Sequence, residues 1–190
     1  MSMKNRTDWN ARWREKIEHP FAPDPWLLKI LPLLPRGRAL DLASGRGRNA
    51  LFLAEQGFTV LAVDVSEEAL AQLGREAARR NLPVEVRRLD LEAEPQLPPA
   101  AFDLVLEFFY LHRSLLPSLR ESVRPGGMAV LRTFSSAGTF PGGPTNPEFV
   151  LRPGELLEMF AGWEILLHEE GVEPSSKGGS LAGIVVRRPS

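Results

Sequence analysis

Two carboxylates and two glycines near the start of the chain have the types and spacing that suit a bound nucleotide. A short apolar run, 39–43, contains Asp41 and leads into a turn with Gly45 and Gly47. A helical pattern follows, and a second apolar run ends in Asp64. Glycines let a ligand approach the backbone, a helix start offers free N–H groups, and an acid after the second strand can bind two ribose hydroxyls. The pattern therefore predicts a nucleotide-binding unit.

The position of Asp41 separates two kinds of nucleotide. The glycine turn also matches the dinucleotide fingerprint G-x-G-x-x-A, with Asp64 at about the right distance. An acid inside the first strand, however, would repel a pyrophosphate placed on that turn. S-adenosylmethionine has no phosphate and carries an ammonium and a sulfonium, so a nearby carboxylate favours it. The alternative for Asp41 is that its carboxylate only ties down the loop.

Five segments, in order along the chain, resemble the motifs of class I S-adenosylmethionine-dependent methyltransferases. They are 41–49, 61–66, 88–91, 102–107 and 119–131. Within that family the chain is similar to the tellurite-resistance methyltransferases, both in the stretch 47–57 and in the Arg-Pro-Gly-Glu-Leu-Leu run that starts at Arg152. The resemblance implies a Rossmann-like fold, methyl transfer from S-adenosylmethionine, and S-adenosylhomocysteine as the product.

The resemblance also assigns residues to the cofactor. Asp64 takes the ribose hydroxyls, Val65 packs on the adenine, and Asp90 faces the adenine amino group with the Leu91 N–H beside it. The full set is Asp41, Ala43, Gly45, Gly47, Asn49, Asp64, Val65, Asp90, Leu91 and Glu107. Two alternatives remain, since Asp64 could cap the next helix and Asp90 could cap the turn that follows it. Ser66, followed by two glutamates, is the better helix cap and would leave Asp64 free.

The acceptor is expected near the carboxyl ends of the fourth and fifth strands, beyond the sulfonium. Tyr110 and His112 follow the fourth strand and are the candidate catalytic residues. The cofactor is already activated, so the protein mainly orients and dehydrates the reactants, and a base is needed only if the acceptor must lose a proton. The candidate substrate-binding residues are Trp9, Trp13, Phe108 and Arg152.

Several of these residues have competing interpretations. Trp9 and Trp13 are four residues apart on one helical face, so they could form a lid over the cofactor or simply pack against the body. Arg46 and Arg48 are expected to form a solvated face of the turn rather than an anion site. Asn49 could satisfy the backbone of the turn or contact the cofactor directly.

The loop 172–180 departs from the tellurite-resistance pattern, which carries histidine and arginine there. Lys177 is its only cation, so tellurite itself is disfavoured as the acceptor. The chain has no cysteine, which excludes arsenite methylation, disulfides, thiolate metal sites and a thiol nucleophile. We expect no metal site, and we expect His19 and His168 to be structural or exposed. The remaining acceptor is a small molecule, such as an oxyanion, thiol, halide or metabolite.

Length and charge restrict the class of protein further. The chain has 190 residues and a formal net charge of −1. These values predict one methyltransferase domain, 1–190, with an N-terminal helical cap, 1–36, and a Rossmann-like core, 37–190. The near-neutral charge disfavours nucleic-acid or membrane partners, and no apolar run approaches the ~20 residues that span a bilayer. We expect a cytoplasmic protein that is a monomer or a weak homodimer.

Hydrophobic periodicity predicts an α/β fold with a seven-stranded, doubly wound sheet. The predicted strands are 39–43, 59–63, 84–89, 102–107, 128–134, 163–170 and 180–187. The predicted helices are 7–18, 26–34, 47–56, 67–81, 113–123 and 154–161. Only a loop joins the last two strands, which favours an antiparallel C-terminal strand.

Two other functions fit part of this pattern. A non-catalytic S-adenosylmethionine-binding module would keep the same acids around the glycine turn. A dinucleotide-binding oxidoreductase domain would need a further catalytic domain, which 190 residues do not supply. Comparing the binding of S-adenosylmethionine with that of NAD distinguishes a methyltransferase from an oxidoreductase domain. A turnover assay distinguishes a methyltransferase from a non-catalytic binding module.

Overall fold

The structure of the protein is a computed structural model that describes residues 3–15, 20–94, 96–176 and 178–190. Two residues that the sequence singles out, His19 and Lys177, lie outside the described residues. The end of the predicted helix 7–18 lies outside them as well.

Seven strands form one mixed sheet in the order β3-β2-β1-β4-β5-β7-β6. The strands are β1 (Arg38–Leu42), β2 (Thr59–Asp64), β3 (Val84–Arg88), β4 (Phe102–Phe108), β5 (Val123–Phe134), β6 (Glu164–Pro174) and β7 (Ser180–Arg187). The pairings from β3 to β5 are parallel, whereas β7 is antiparallel to both β5 and β6. The predicted doubly wound sheet with an antiparallel C-terminal strand is confirmed. The strand order reverses between β1 and β4, and ligands of such sheets bind at the carboxyl ends of the strands at that point.

Six α-helices connect or cover these strands in the described parts of the chain. They are α1 (Met3–Glu15), α2 (Pro25–Ile30), α3 (Arg48–Glu55), α4 (Glu67–Arg79), α5 (Leu116–Ser122) and α6 (Glu155–Met159). Short 3₁₀ turns follow α2, precede α5 and precede α6. No helix in these parts is both long enough and apolar enough to cross a membrane.

The sheet separates two apolar layers because successive side chains of a strand point to opposite faces. Leu40 and Leu42 of β1 face the layer that includes Leu119 of α5. Ala39 faces the other layer, which includes Leu51 of α3. Asp41 shares the face of Ala39, so the alternation of β1 directs this carboxylate towards the start of α3.

Several elements differ in length from the prediction, among them β5, β6 and the second helix. β5 begins at Val123 and β6 continues to Pro174, and irregular register in the pairings of both strands accommodates the additional residues. The second helix ends at Ile30 and continues only as a 3₁₀ turn. Pro32, within that turn, has no N–H with which to continue the helical hydrogen bonds.

Candidate functional site

The turn between β1 and α3 is built from left-handed backbone. Ala43, Gly45 and Gly47 have φ values of 51°, 54° and 73°. The Ser44 N–H donates to the carbonyl of Val63 (3.0 Å), and the Gly47 N–H donates to the carbonyl of Ser44 (2.9 Å). Two of the three left-handed positions are glycines, which adopt this conformation without a steric penalty. The turn is therefore tight, and β2 fixes its position.

The two glycines of this turn face protein atoms. A Cβ on Gly45 would lie 2.6 Å from the indole ring of Trp13, and a Cβ on Gly47 would lie 2.3 Å from the side chain of Leu73. Gly47 thus allows the turn to pack on α4. Gly45 allows the indole of α1 to lie on the turn, which brings Trp13 to the predicted site. The described aromatic contact of Trp9 is instead with Arg12, whose guanidinium lies 5.0 Å from the ring.

Helix α1 is attached to the start of α4. The Ser66 hydroxyl donates to Asn10 Oδ1 (2.6 Å), and the Glu68 N–H donates to the same oxygen (3.3 Å). Gln72 Nε2 donates to the carbonyl of Trp13 (3.2 Å). These three bonds fix the indole over Gly45. Asn10 was missed by the sequence analysis, although it lies on the same helix as the two tryptophans.

Asp64 ties the glycine turn to β2. The Gly45 N–H donates to its Oδ2 and the Ser66 N–H donates to its Oδ1, both at 2.8 Å. The prediction that Ser66 rather than Asp64 caps α4 is confirmed, because the Ser66 hydroxyl accepts from the Ala69 N–H (3.2 Å). Burial raises the pKa of Asp64, and the backbone N–H donors oppose that rise. An ionised carboxylate has about four acceptor sites, so its bonds to the backbone leave capacity for ribose hydroxyls.

Asp41 is only 2% exposed, and its Oδ2 has no hydrogen-bond partner among the residues that the structure describes. Burial raises its pKa to about 7, while Arg48 and the Ala50 N–H act in the opposite direction. The Ala50 N–H at the start of α3 acts on Asp41, so the alternative that this carboxylate ties down the loop stays open beside the role of Asp64 in holding the turn. A buried polar atom without a partner requires an explanation, and a cationic ligand over the turn would supply one.

Asp90 closes the turn that follows β3. Its Oδ1 accepts from the N–H groups of Glu92 (3.2 Å) and Ala93 (3.3 Å), which is the capping role foreseen as an alternative. The next residue, Leu91, is buried, whereas Val65 after β2 is partly exposed. An apolar, partly exposed side chain next to Asp64 is available to pack against a flat ligand.

Glu107 and Tyr110 extend the cluster of carboxylates towards the end of β4. Glu107 is 4% exposed, and burial raises its pKa to about 8. Burial is also the main cause that raises the pKa of Tyr110, followed by the charges of Glu92, Glu107, Asp90 and Asp64. The phenol therefore lies within the field of these four acids. It keeps its proton at neutral pH, so it can donate a hydrogen bond but cannot act as a base.

His112 lies beside Glu107 in a small crevice at the end of β4. Apolar side chains line most of this crevice, among them Leu111, Leu116, Leu119, Leu131 and Met159. His112 is half-buried. The adjacent Arg113 binds both carboxylate oxygens of Glu155, at 2.6 and 3.0 Å, and so joins the segment after β4 to α6.

The candidate substrate-binding residues after β4 differ from the prediction. Phe108 is buried to 7% exposure, with its ring 6.2 Å from that of Trp26, so it belongs to the core. The next residue, Phe109, is the exposed aromatic. Arg152 lies at the start of α6, where its guanidinium is 2.9 Å from Glu158.

The predictions for the arginines and the asparagine of the turn need correction. Arg46 does not form a solvated face, because it is 8% exposed and its guanidinium lies 4.3 Å from the centre of the Phe21 ring. Burial lowers the pKa of Arg46. Asn49 Oδ1 accepts from the Asp24 N–H (3.0 Å), so this oxygen holds the segment before α2 and not the turn. Arg48 binds the carboxylate of Asp24 at 3.1 Å.

No group of three or more histidine, aspartate or glutamate side chains is arranged to hold a metal ion in the described parts of the chain. The site thus consists of a glycine turn, buried carboxylates, a protonated phenol and a half-buried imidazole.

The sheet order and this site define the class of protein. A family model described as a methyltransferase domain matches residues 39–127, which include the glycine turn and the acids of β1, β2 and β4. The matched stretch is thus similar to a methyltransferase domain, and the sheet has the class I methyltransferase fold.

Within that class the chain resembles TehB. The probable S-adenosyl-L-methionine-dependent methyltransferase TehB of Haemophilus influenzae is 28% identical over an alignment of 142 residues that covers 71% of this chain and 49% of that protein. The crystal structure of TehB from Haemophilus influenzae matches with a TM-score of 0.76 at 19% identity and covers 95% of this chain and 67% of that one.

A second relative is the ribosomal protein L11 methyltransferase of Thermus thermophilus. It is 37% identical over an alignment of 161 residues that covers 65% of this chain and 63% of that protein. The chain spans 46%, 63% and 49% of the length of three curated relatives that it matches.

Proposed function

We propose that this protein transfers the methyl group of S-adenosylmethionine to a small-molecule acceptor. The observation that supports this most is the buried, unpartnered oxygen of Asp41 beneath a glycine turn, within a cluster of carboxylates. Buried carboxylates are costly unless a cation or hydrogen-bond donors accompany them. S-adenosylmethionine brings two positive charges and no phosphate, so it fits these acids better than a dinucleotide does.

We assign the nucleoside half of the cofactor to the ends of β2 and β3. Asp64 would hold the ribose hydroxyls, Val65 would pack on the adenine, and Asp90 with the Leu91 N–H would bind the adenine amino group. The remaining cofactor-binding positions are Asp41, Ala43, Gly45, Gly47, Asn49 and Glu107. Their carboxylates and backbone N–H groups suit the charged methionine half.

S-adenosylmethionine supplies an activated methyl group when it is bound. The chain contributes orientation and exclusion of water at the ends of β4 and β5. Tyr110 donates a hydrogen bond from its retained proton. His112, beside Glu107, takes the proton from an acceptor that must lose one. Trp13 covers the turn and limits the access of water.

Calorimetry with S-adenosylhomocysteine tests the cofactor assignment. Asp64→Ala should weaken binding by roughly 1.5–3 kcal/mol, the usual cost of lost hydrogen bonds to a charged group. The matched control is Glu85→Gln on β3, because Glu85 is exposed and pairs only with Arg87 in the described contacts (2.8 Å); its affinity should equal that of the wild type. Binding of NAD in preference to S-adenosylhomocysteine would contradict the proposal.

Turnover separates an enzyme from a binding module. The wild type should methylate at least one member of a panel of thiols, phenols, carboxylates and oxyanions. Binding of S-adenosylhomocysteine without transfer to any of them would favour a non-catalytic module. Methyl transfer only to a ribosomal protein, and to no member of the panel, would indicate a protein acceptor instead of a small molecule.

A further inference from the structure

Phe109 has a backbone conformation that a bulky residue rarely adopts. Its φ is 57°, in the left-handed region. The other non-glycine residues of the described chain with positive φ are Ala43, Asn81 and Ala100. Two of these are alanines, and asparagine tolerates the region better than most residues. Phe109 is therefore the one large side chain among them, and such strain is concentrated at functional sites.

The neighbouring strands hold Phe109 in this conformation. Its N–H donates to the carbonyl of Arg132 in β5 (2.8 Å). On one side Phe108 is buried in the core, and on the other Tyr110 lies within the field of Glu107, Asp90 and Asp64. The left-handed residue lets the chain turn between these two fixed neighbours. A glycine would make the same turn without a steric penalty.

The ring of Phe109 is not needed to fill the core, because the residue is 38% exposed. It packs edge-on against Phe134, with ring centres 5.7 Å apart and an angle of 66° between the planes. The guanidinium of Arg48 lies 5.5 Å from its centre. Phe109 directly follows β4 and Phe134 ends the adjacent β5, so both lie at the carboxyl ends of these strands, next to Tyr110, where the acceptor of this fold is expected.

We propose that Phe109 determines the specificity for the methyl acceptor and that the acceptor carries a planar aromatic ring. Phe109 and Phe134 form an apolar wall on which that ring packs, since aromatic pairs gain from offset-stacked or edge-to-face contact beyond their buried area. Strain is retained at Phe109 because only a large side chain at this point completes the wall. This inference rests on the proposed function and assigns the class of its substrate.

The test compares two neutral probes of equal size, benzyl alcohol and cyclohexylmethanol, by saturation-transfer NMR on protein saturated with S-adenosylhomocysteine. The wild type should bind benzyl alcohol more tightly. Phe109→Gly should weaken the binding of benzyl alcohol at least tenfold and abolish the preference for it over cyclohexylmethanol. The variant should keep the affinity for S-adenosylhomocysteine and should melt at an equal or higher temperature. Phe109→Asn provides a second side chain that accepts positive φ.

The matched control is Asn81→Gly, which changes another left-handed residue at the end of α4. This variant should bind benzyl alcohol and cyclohexylmethanol as the wild type does. Equal binding of the two probes by the wild type, or an unchanged preference in Phe109→Gly, would overturn the inference while leaving the proposed function intact. Failure of S-adenosylhomocysteine to bind the wild type would instead contradict the proposed function.

Discussion

At the residue scale, Ala43 introduces strain into the glycine turn. Its φ of 51° places Cβ close to the following carbonyl oxygen, which costs roughly 1–2 kcal/mol for an L-residue. Glycine removes that cost but gives the unfolded chain more freedom, which offsets about 0.4–1 kcal/mol of the gain. The relief of backbone strain exceeds the cost of the added freedom in the unfolded chain, so the net effect of glycine is stabilising.

Ala43→Gly should therefore stabilise the protein by about 0.5–1 kcal/mol, or a few degrees in melting temperature for a chain of this size. Chemical denaturation with matched m-values measures the change. The control is Ala50→Gly inside α3, where the same substitution should destabilise by about 1 kcal/mol. A less stable Ala43→Gly would show that the left-handed alanine carries no strain.

A second prediction at this scale concerns His112. With a phenol or alcohol acceptor, His112→Ala should lower kcat about 10²-fold and leave the affinity for S-adenosylhomocysteine unchanged, because the imidazole takes the proton. With a thiolate acceptor the rate should stay near that of the wild type. Ser114→Ala, an exposed neighbour in the next turn, is the control. Equal losses with both acceptors would assign His112 a structural role.

At the scale of elements, the contact between α1 and the glycine turn joins the N-terminal segment to the cofactor site. The position that a Cβ on Gly45 would take lies 2.6 Å from the indole of Trp13. The sequence predicted a tight turn with space for a ligand. In the structure an aromatic ring lies on that side of Gly45, so a larger residue there acts first on α1.

Gly45→Ala should therefore displace α1, whereas Gly45→Ala combined with Trp13→Ala should be largely relieved of the clash. Amide hydrogen exchange of α1 measures the displacement, and calorimetry with S-adenosylhomocysteine measures its effect on the site. A double-mutant cycle should give an interaction energy of about 1 kcal/mol or more, as expected for residues in contact. Additive effects would mean that Trp13 and Gly45 do not meet in solution.

At the scale of the whole molecule, the buried acids make stability depend on pH. Burial raises the pKa of Asp41 to about 7 and that of Glu107 to about 8, above their ordinary values of 3.8 and 4.5. At pH values between the ordinary and the raised pKa of each group, the folded state binds more protons than the unfolded state. The stability that these groups contribute is thus complete below about pH 4 and is lost as the pH rises through the folded pKa values.

The free energy of unfolding should fall between pH 5 and pH 8, and Asp41→Asn should reduce that fall by about 1 kcal/mol or more. Glu85→Gln should leave it unchanged. Binding of S-adenosylmethionine places positive charge near these acids and should release protons at pH 7, which calorimetry in two buffers of different ionisation enthalpy detects. A stability that rises from pH 5 to 8 would contradict the pKa directions.

The sequence alone determined the fold, because each element has a local cause. Apolar runs of five to seven residues, helical periodicity and glycine turns predicted the alternating strands and helices. The order of the acids after successive strands predicted which residues meet at one edge of the sheet. These are properties of neighbours in the chain, and among the boundaries that changed are those at the irregular register of β5 and β6 and at Pro32.

Only the tertiary structure decided how the site residues are used. Asp64 holds the turn because β1 and β2 lie side by side, and one oxygen of Asp41 is left without a hydrogen-bond partner in the described parts of the chain. Phe108 is buried because it shares the face of Leu104 and Leu106 in β4, whereas Phe109 follows the strand in a left-handed conformation and is exposed. Hydrogen-bond partners, burial and pKa depend on groups far apart in the chain, so the local pattern that predicts a strand cannot specify them.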